Sequence, residues 1–264
     1  MLDGRPFPTN GHAMIEIIAL KGIGEVAPGS DLAALLSDAI AAAGVAPAAG
    51  DVLVVTQKIV SKAEGRFVSL DSVTPGAEAT ELAAVTGKDA RLVELVLAES
   101  SQVVRAVRDV LVTRHRTGHV MANAGIDRSN IGDRGEDSVL LLPLDSDLSA
   151  DRLHAALADR FAMPPAVLIV DSFGRPWRMG VVNVAIGASG LPALIDRRGE
   201  LDRDGRTLEV TQIALGDMLA SAAGLAMGEG AEGVPAVLIR GVAWSGPVAP
   251  AAALVRPIER DLFR

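Results

Sequence analysis

The stretch AVLIVDSFGRPWRMG, residues 166–180, decides how the chain is read. Ala166 to Val170 is aliphatic at every position, the pattern of a strand covered on both faces. The run delivers Asp171 at its C-terminal end, where sheets flanked by helices usually place ligands. Ser172 adds a second oxygen, and Arg175 and Arg178 follow in what reads as a loop. A cation bridging phosphate oxygens, with guanidinium forks offsetting the remaining charge, is chemistry this set suits. The same residues also read structurally, with Asp171 capping a turn and Trp177 anchoring a core.

Working outward, Gly50-Asp51 opens a second strand of this kind, Val52 to Val55. Further strands are expected at residues 15–19, 102–106, 110–114, 119–122, 138–142, 181–186 and 234–239. Helices are expected from Ser30 or Asp31, with Leu32, Leu35, Leu36 and Ile40 as the apolar stripe, and at residues 78–85, 89–98, 151–161 and 208–226. Strands cluster between helices rather than alternating with them, which favours an α+β fold with mixed sheets over a doubly wound one. Residues 1–13 read as a disordered leader, 14–249 as the catalytic unit and 250–264 as a peripheral C-terminal arm.

The 264 residues suffice for one large domain or two interwoven ones. The core is expected to be aliphatic, since aromatic residues make up only 3%. With no cysteine, disulfides and thiolate metal sites are excluded. A net charge of −8 disfavours nucleic-acid binding through the phosphate backbone. No secretory signal and no membrane-length apolar stretch is seen, so a cytoplasmic location is expected.

Three other segments carry candidate chemistry. In NAGIDRSN, residues 123–130, Asp127 can ligate a hard cation and Asn130 can contact a nucleotide, although a polar turn reads equally well. In MGEGAEGV, residues 227–234, the glycines allow close backbone approach to a ligand, and Glu229 is a candidate third carboxylate. A Gly-rich helix exit is the plainer reading. After Val55, Lys58, Lys62 and Arg66 recur every four residues and would share one helical face, as a phosphate clamp or as a solvated charged face. No Walker or dinucleotide-binding fingerprint occurs. His12, His115, His119 and His154 have no metal-ligand spacing. His115 and His119 read as surface residues of a hairpin.

Taken together, residues 50–66, 123–130, 140–147, 170–190 and 227–241 resemble the coenzyme F-420-0:L-glutamate ligase family, the gamma-glutamyl ligases of that coenzyme's biosynthesis. The resemblance covers about residues 15–244. It implies an unusual α+β ligase fold in an intertwined homodimer. It implies GTP-dependent joining of L-glutamate to the carboxylate of a deazaflavin coenzyme precursor, with further gamma-linked addition possible. It also implies two divalent ions, Mg or Mn, and a K ion. By matching motifs, Asp127, Asp171, Ser172 and Glu229 would hold the metals. Ile23, Gly24, Glu25, Val26, Gln57, Lys58, Lys62, Asn130 and the loop Met227, Gly228, Glu229, Gly230, Ala231, Glu232, Gly233 and Val234 would line the GTP site. Ser172 stands where Thr is common, with its hydroxyl retained. The alternatives are a metal-dependent phosphatase or phosphotransferase and a non-catalytic nucleotide-binding protein.

Overall fold

The computed structural model describes residues 14–262, apart from residues 133, 134 and 136; the expected leader, residues 1–13, lies outside the described residues. The chain runs β1 (Glu16–Leu20), α1 (Leu32–Ala42), β2 (Val52–Thr56), α2 (Gln57–Ala63), β3 (Phe67–Ser69), α3 (Ala77–Thr86) and α4 (Ala90–Ala98). A meander follows, β4 (Ser100–Val107), β5 (Val110–His115) and β6 (Val120–Ala122), then β7 (Ser138–Leu140) and α5 (Ser146–Ala158). The long hairpin β8 (Ala166–Arg175) and β9 (Arg178–Ser189) precedes β10 (Ile195–Asp196), β11 (Gln212–Ile213), α6 (Leu215–Met227) and β12 (Ala236–Arg240). This is a mixed α+β architecture with several sheets.

The main sheet has the order β1-β12-β2-β8-β9. Only β2 and β8 are parallel, in register from Val52 opposite Ala166 to Thr56 opposite Val170. Both of these central strands are covered on both faces. Leu53, Val55, Val167 and Ile169 pack with Leu36, Ile40 and Leu157 of α1 and α5. Val52, Val54, Leu168 and Val170 pack with Leu219, Ala220 and Ala223 of α6. A separate cluster joins α3 and α4 to the meander and β7 through Leu70, Val93, Val96, Leu111 and Val139.

Local chemistry explains where the expected boundaries move. Helix α5 begins five residues earlier than its apolar periodicity suggests, because the Asp145 carboxylate accepts from the Leu148 amide at 3.0 Å and caps it. Helix α6 begins at Leu215 instead of Leu208, because Gln212 and Ile213 are drawn into the β10 pairing. Strand β8 does not stop at Val170. It continues to Arg175, paired with β9, so residues 171–175 are strand rather than loop. Residues 249–252 return to the sheet: the Asp147 carboxylate accepts from the amides of Ala188 and Ala251 at 2.8 Å and of Ala252 at 3.0 Å. Among the described residues, no helix is long and apolar enough to cross a membrane.

The expectation that His115 and His119 are surface residues is overturned. His115 is 1% exposed, and the His119 ring meets Phe173 of β8 edge-on at 6.0 Å. The meander packs its end against the long hairpin, which buries His115 and leaves His119 half-buried. Thr117 Oγ1 lies 2.8 Å from His115 Nδ1 and 2.9 Å from His119 Nδ1. Burial, with a smaller contribution from the charge of His115, pushes the His119 imidazole down to about 4. His115, whose Nε2 lies 3.6 Å from Glu99 Oε2, and the charges of Arg116 and Arg66 hold the Glu99 carboxyl below its usual value.

Two predictions follow from this packing. A Cβ on Gly187 would lie 2.2 Å from the Ser146 carbonyl oxygen, where α5 starts against β9. Gly187→Ala is therefore expected to lower stability by about 3 kcal/mol in denaturant titration. The second concerns acid. Between the ordinary imidazole value and about 4, the unfolded chain binds a proton at His119 that the folded chain does not. Stability is therefore full above that window and falls as pH drops through it, by on the order of 3 kcal/mol. Glu99 has the same sign at lower pH, since a depressed carboxylate stabilises the fold only while ionised. His119→Phe is expected to flatten the loss between pH 6.5 and about 4, measured as unfolding midpoint against pH; an unchanged slope would count against the assignment.

Candidate functional site

The parallel pairing of β2 with β8 sets the site. Both strands reach the end of their shared register at the same level, Thr56 beside Val170. The next residues are Gln57, which starts α2, and Asp171. Asp127 arrives from the other side. It follows a tight turn in which Asn123 and Ala124 adopt φ of 51° and 52°, and its backbone then pairs with Leu140. That turn aims the Asp127 side chain at α2: Oδ2 accepts from Gln57 Nε2 at 2.7 Å and lies 2.8 Å from Lys58 Nζ.

Asp171 is enclosed. Burial, and then the neighbouring charge of Asp127, push its carboxyl up to about 7. Lys58, the Ser172 amide and the Gln57 side chain pull the other way. Two carboxylates thus share a poorly solvated place with one lysine between them and the solvent side.

Above this pair opens a cleft of about 500 Å³. Ile23, Gly24, Glu25 and Val26 line it from the loop after β1; Lys58 and Lys62 from α2; Asp171 and Ser172 from β8. The loop after α6 contributes Met227, Gly228, Glu229, Gly230, Ala231, Gly233 and Val234. Asn130, at φ 58°, lines it too and donates to the Gly230 carbonyl at 3.2 Å. Lys62 Nζ lies 2.7 Å from Glu25 Oε1.

Several expected residues stand elsewhere. Gln57 is fully buried beneath the cleft and does not line it. Glu232 turns back on its own loop, accepting from the Gly230 amide at 2.8 Å. Arg66 lies beyond the end of α2, so it leaves the face shared by Lys58 and Lys62; it donates to the Leu142 carbonyl at 2.9 Å and pairs with Glu99 at 3.2 Å. Arg175 and Arg178 sit at the hairpin tip, where Arg175 donates to the Met179 carbonyl, and neither lines the cleft. Conversely, Asn183 of β9 lines the cleft and went unnoticed. A polar residue interrupting Val181 to Ile186 was the available signal, because it pairs with Ser172 and not with a core residue.

A hard divalent cation fits the acidic pair. Two neighbouring carboxylates are oxygen ligands of the right kind, and their mutual repulsion is what such a charge relieves; Ser172 lines the same cleft. Glu229 faces the same cleft but is not part of that pair: among the described residues no three acidic or histidine side chains form a ready cage. The remainder of a coordination shell would fall to ligand oxygens or water.

The fold thus gathers an acidic pair, two lysines and a Gly-rich loop around one opening. The chain belongs to the F420-0:gamma-glutamyl ligase family, whose sequence model matches residues 22–241. It is 44% identical over 255 residues to the coenzyme F420:L-glutamate ligase of Methanothermobacter thermautotrophicus, covering 95% of this chain and 99% of that protein. The Methanopyrus kandleri protein of the same name is 46% identical over 245 residues, 91% of this chain and 94% of its own. That of Methanocaldococcus jannaschii is 40% identical over 215 residues, 81% and 85%.

The site's electrostatics give a test that separates chemistry from folding. Asp171→Asn removes a desolvated carboxyl that its neighbour already destabilises. The unfolding midpoint is expected to stay level or rise, by on the order of 1 kcal/mol in stability, while Mn affinity falls. A marked loss of stability would mean that Asp171 serves the fold.

Proposed function

We propose that the protein joins the amino group of L-glutamate to the carboxylate of a deazaflavin coenzyme precursor at the expense of GTP. The observation that carries this reading is Asp171 set with Lys58 and Lys62 in the cleft wall, with Asp127 paired to Lys58 beside it, in a chain that aligns over nearly its whole length with ligases of that name.

A carboxylate is a poor acyl donor because it would have to expel oxide. Transfer of the γ-phosphoryl group forms a P–O bond to the carboxylate oxygen and breaks the bond to GDP. The glutamate nitrogen then attacks the acyl carbon, the C–N bond forms, phosphate leaves with the C–O electrons, and the nitrogen loses a proton. Asp127, Asp171 and Ser172, with Glu229 across the cleft, would hold Mg or Mn. Bound there, a divalent ion would neutralise phosphate oxygens and the charge developing on the leaving group. Lys58 and Lys62 hold ammonium groups at the cleft wall, now paired with Asp127 and Glu25. In the ternary complex they turn to phosphate as compact point charges. The loops 23–26 and 227–234 enclose the nucleotide and keep water from the acyl phosphate.

The same reading includes a homodimer. The β8–β9 hairpin ends in Trp177, Met179 and Val181; Met179 is 97% exposed, an apolar tip suited to a second copy. Sedimentation in dilute buffer is expected at about twice 27.2 kDa, and a clean micromolar monomer would count against it.

Turnover provides the main test. Incubated with GTP, Mn, the deazaflavin precursor and glutamate, the protein is expected to release GDP only when both acceptor and glutamate are present. Release without glutamate would indicate a phosphatase, and no release a binding protein. Asp127→Asn is expected to abolish turnover. Lys62→Ala removes one charge-assisted hydrogen bond, about 1.5–3 kcal/mol, so GTP affinity or turnover should fall roughly tenfold to hundredfold. Unchanged kinetics in Lys62→Ala would return that lysine to its pairing with Glu25 alone.

A further inference from the structure

We infer that Gln57 is a positioning residue for the acidic pair, with no contact of its own to the nucleotide, and that Ser61 fixes its orientation. The inference rests on the metal-holding role proposed for Asp127 and Asp171.

Gln57 is fully buried, as is Ser61 one helical turn further on. Its Nε2 donates to Asp127 Oδ2 at 2.7 Å, and its side chain also favours the ionised form of the neighbouring Asp171. A carboxylate can only accept, so the amide nitrogen must be the atom that faces the acids. The amide oxygen then points the other way, and the Ser61 hydroxyl donates to it at 2.9 Å. The amide is thereby held at both ends, and a flip would set its oxygen against a carboxylate.

The arrangement has two effects on a cation. First, the load on Asp127 falls on one oxygen: both Gln57 Nε2 and Lys58 Nζ meet Oδ2. That fixes the carboxylate plane and presents Oδ1 for coordination. Second, the amide adds no charge. Lys58 already sets one positive charge beside Asp127 Oδ2; a further lysine or arginine in place of Gln57 would offset more of the charge that attracts a metal, whereas an amide orients the Asp127 carboxylate without adding to that offset. Groups that orient metal ligands in this way typically change affinity by ten- to hundredfold.

The experiment is a titration of Mn into the nucleotide-free protein by calorimetry, alongside the unfolding midpoint and the KM for GTP at saturating Mn. Gln57→Met preserves length and removes both hydrogen bonds; Ser61→Ala leaves the amide in place but frees it to turn. Gln57→Met is expected to weaken Mn binding about ten- to hundredfold, Ser61→Ala by less, with the KM for GTP at saturating Mn unchanged in both. If Gln57→Met does not fold, Ser61→Ala decides. Mn affinity equal to wild type in the folded variants overturns the inference. So does a raised KM for GTP with Mn affinity intact, which would make Gln57 a nucleotide contact. Failure of wild type itself to take up Mn removes the metal reading, and the inference with it; wild-type uptake with unaffected variants removes the inference alone.

Discussion

The parallel register of β2 and β8 is the constraint on which the site depends. Val52 to Thr56 and Ala166 to Val170 pair one to one, so the two strands end together. Because each is covered on both faces, every position before that end must be apolar. The first positions free of the rule are Gln57 and Asp171, and they fall side by side. A slip of one residue would turn each side chain of the moved strand to the other face and separate the two groups. The chemistry begins where the core releases the sequence.

What the core releases is then held under tension. Asp171 sits close to the charge of Asp127, and burial together with that charge pushes its carboxyl up to about 7. The nearest opposing charge is Lys58, on the first turn of the helix that β2 feeds. In a chain whose net charge is −8, such cations have to be placed locally, and α2 places two of them on one face. Strand register, helix phase and site electrostatics are therefore one design.

Much of this was legible in the sequence, and the reasons differ by residue. The aliphatic runs of β2 and β8 could be read directly, because strands buried on both faces admit little else. A cap at Ser30 or Asp31 was visible for the same kind of local reason, and the structure uses Asp31. The strand character of residues 171–175 was hidden, because a pairing partner alone keeps that polar segment extended. His119 was not legible because it packs on Phe173, more than fifty residues away in sequence, and His115 because its ring turns in towards Glu99, from the start of the meander. Gln57 is a similar case. Its place between two acids depends on the turn at Asn123–Ala124 and on the β8 register, neither of which a residue can announce by itself. Spacing alone suggested that Arg66 shares a face with Lys58 and Lys62; the end of α2 at Ala63 sends it to Glu99 instead.

The hairpin tip has a consequence for how the molecule can be observed. The sequence holds no tyrosine and only two tryptophans. Trp177, at φ 57° in the two-residue turn, is 83% exposed, whereas Trp244 is partly buried against the α6 side of the sheet. In a single copy their emission should be separable by colour, one in a watery environment and one in an apolar one, and pairing of two copies through the tip would move the Trp177 emission towards the apolar. The hairpin that carries Asp171 and Ser172 at its base thus carries a native fluorophore at its end. Events that cover or move that hairpin become visible without any label.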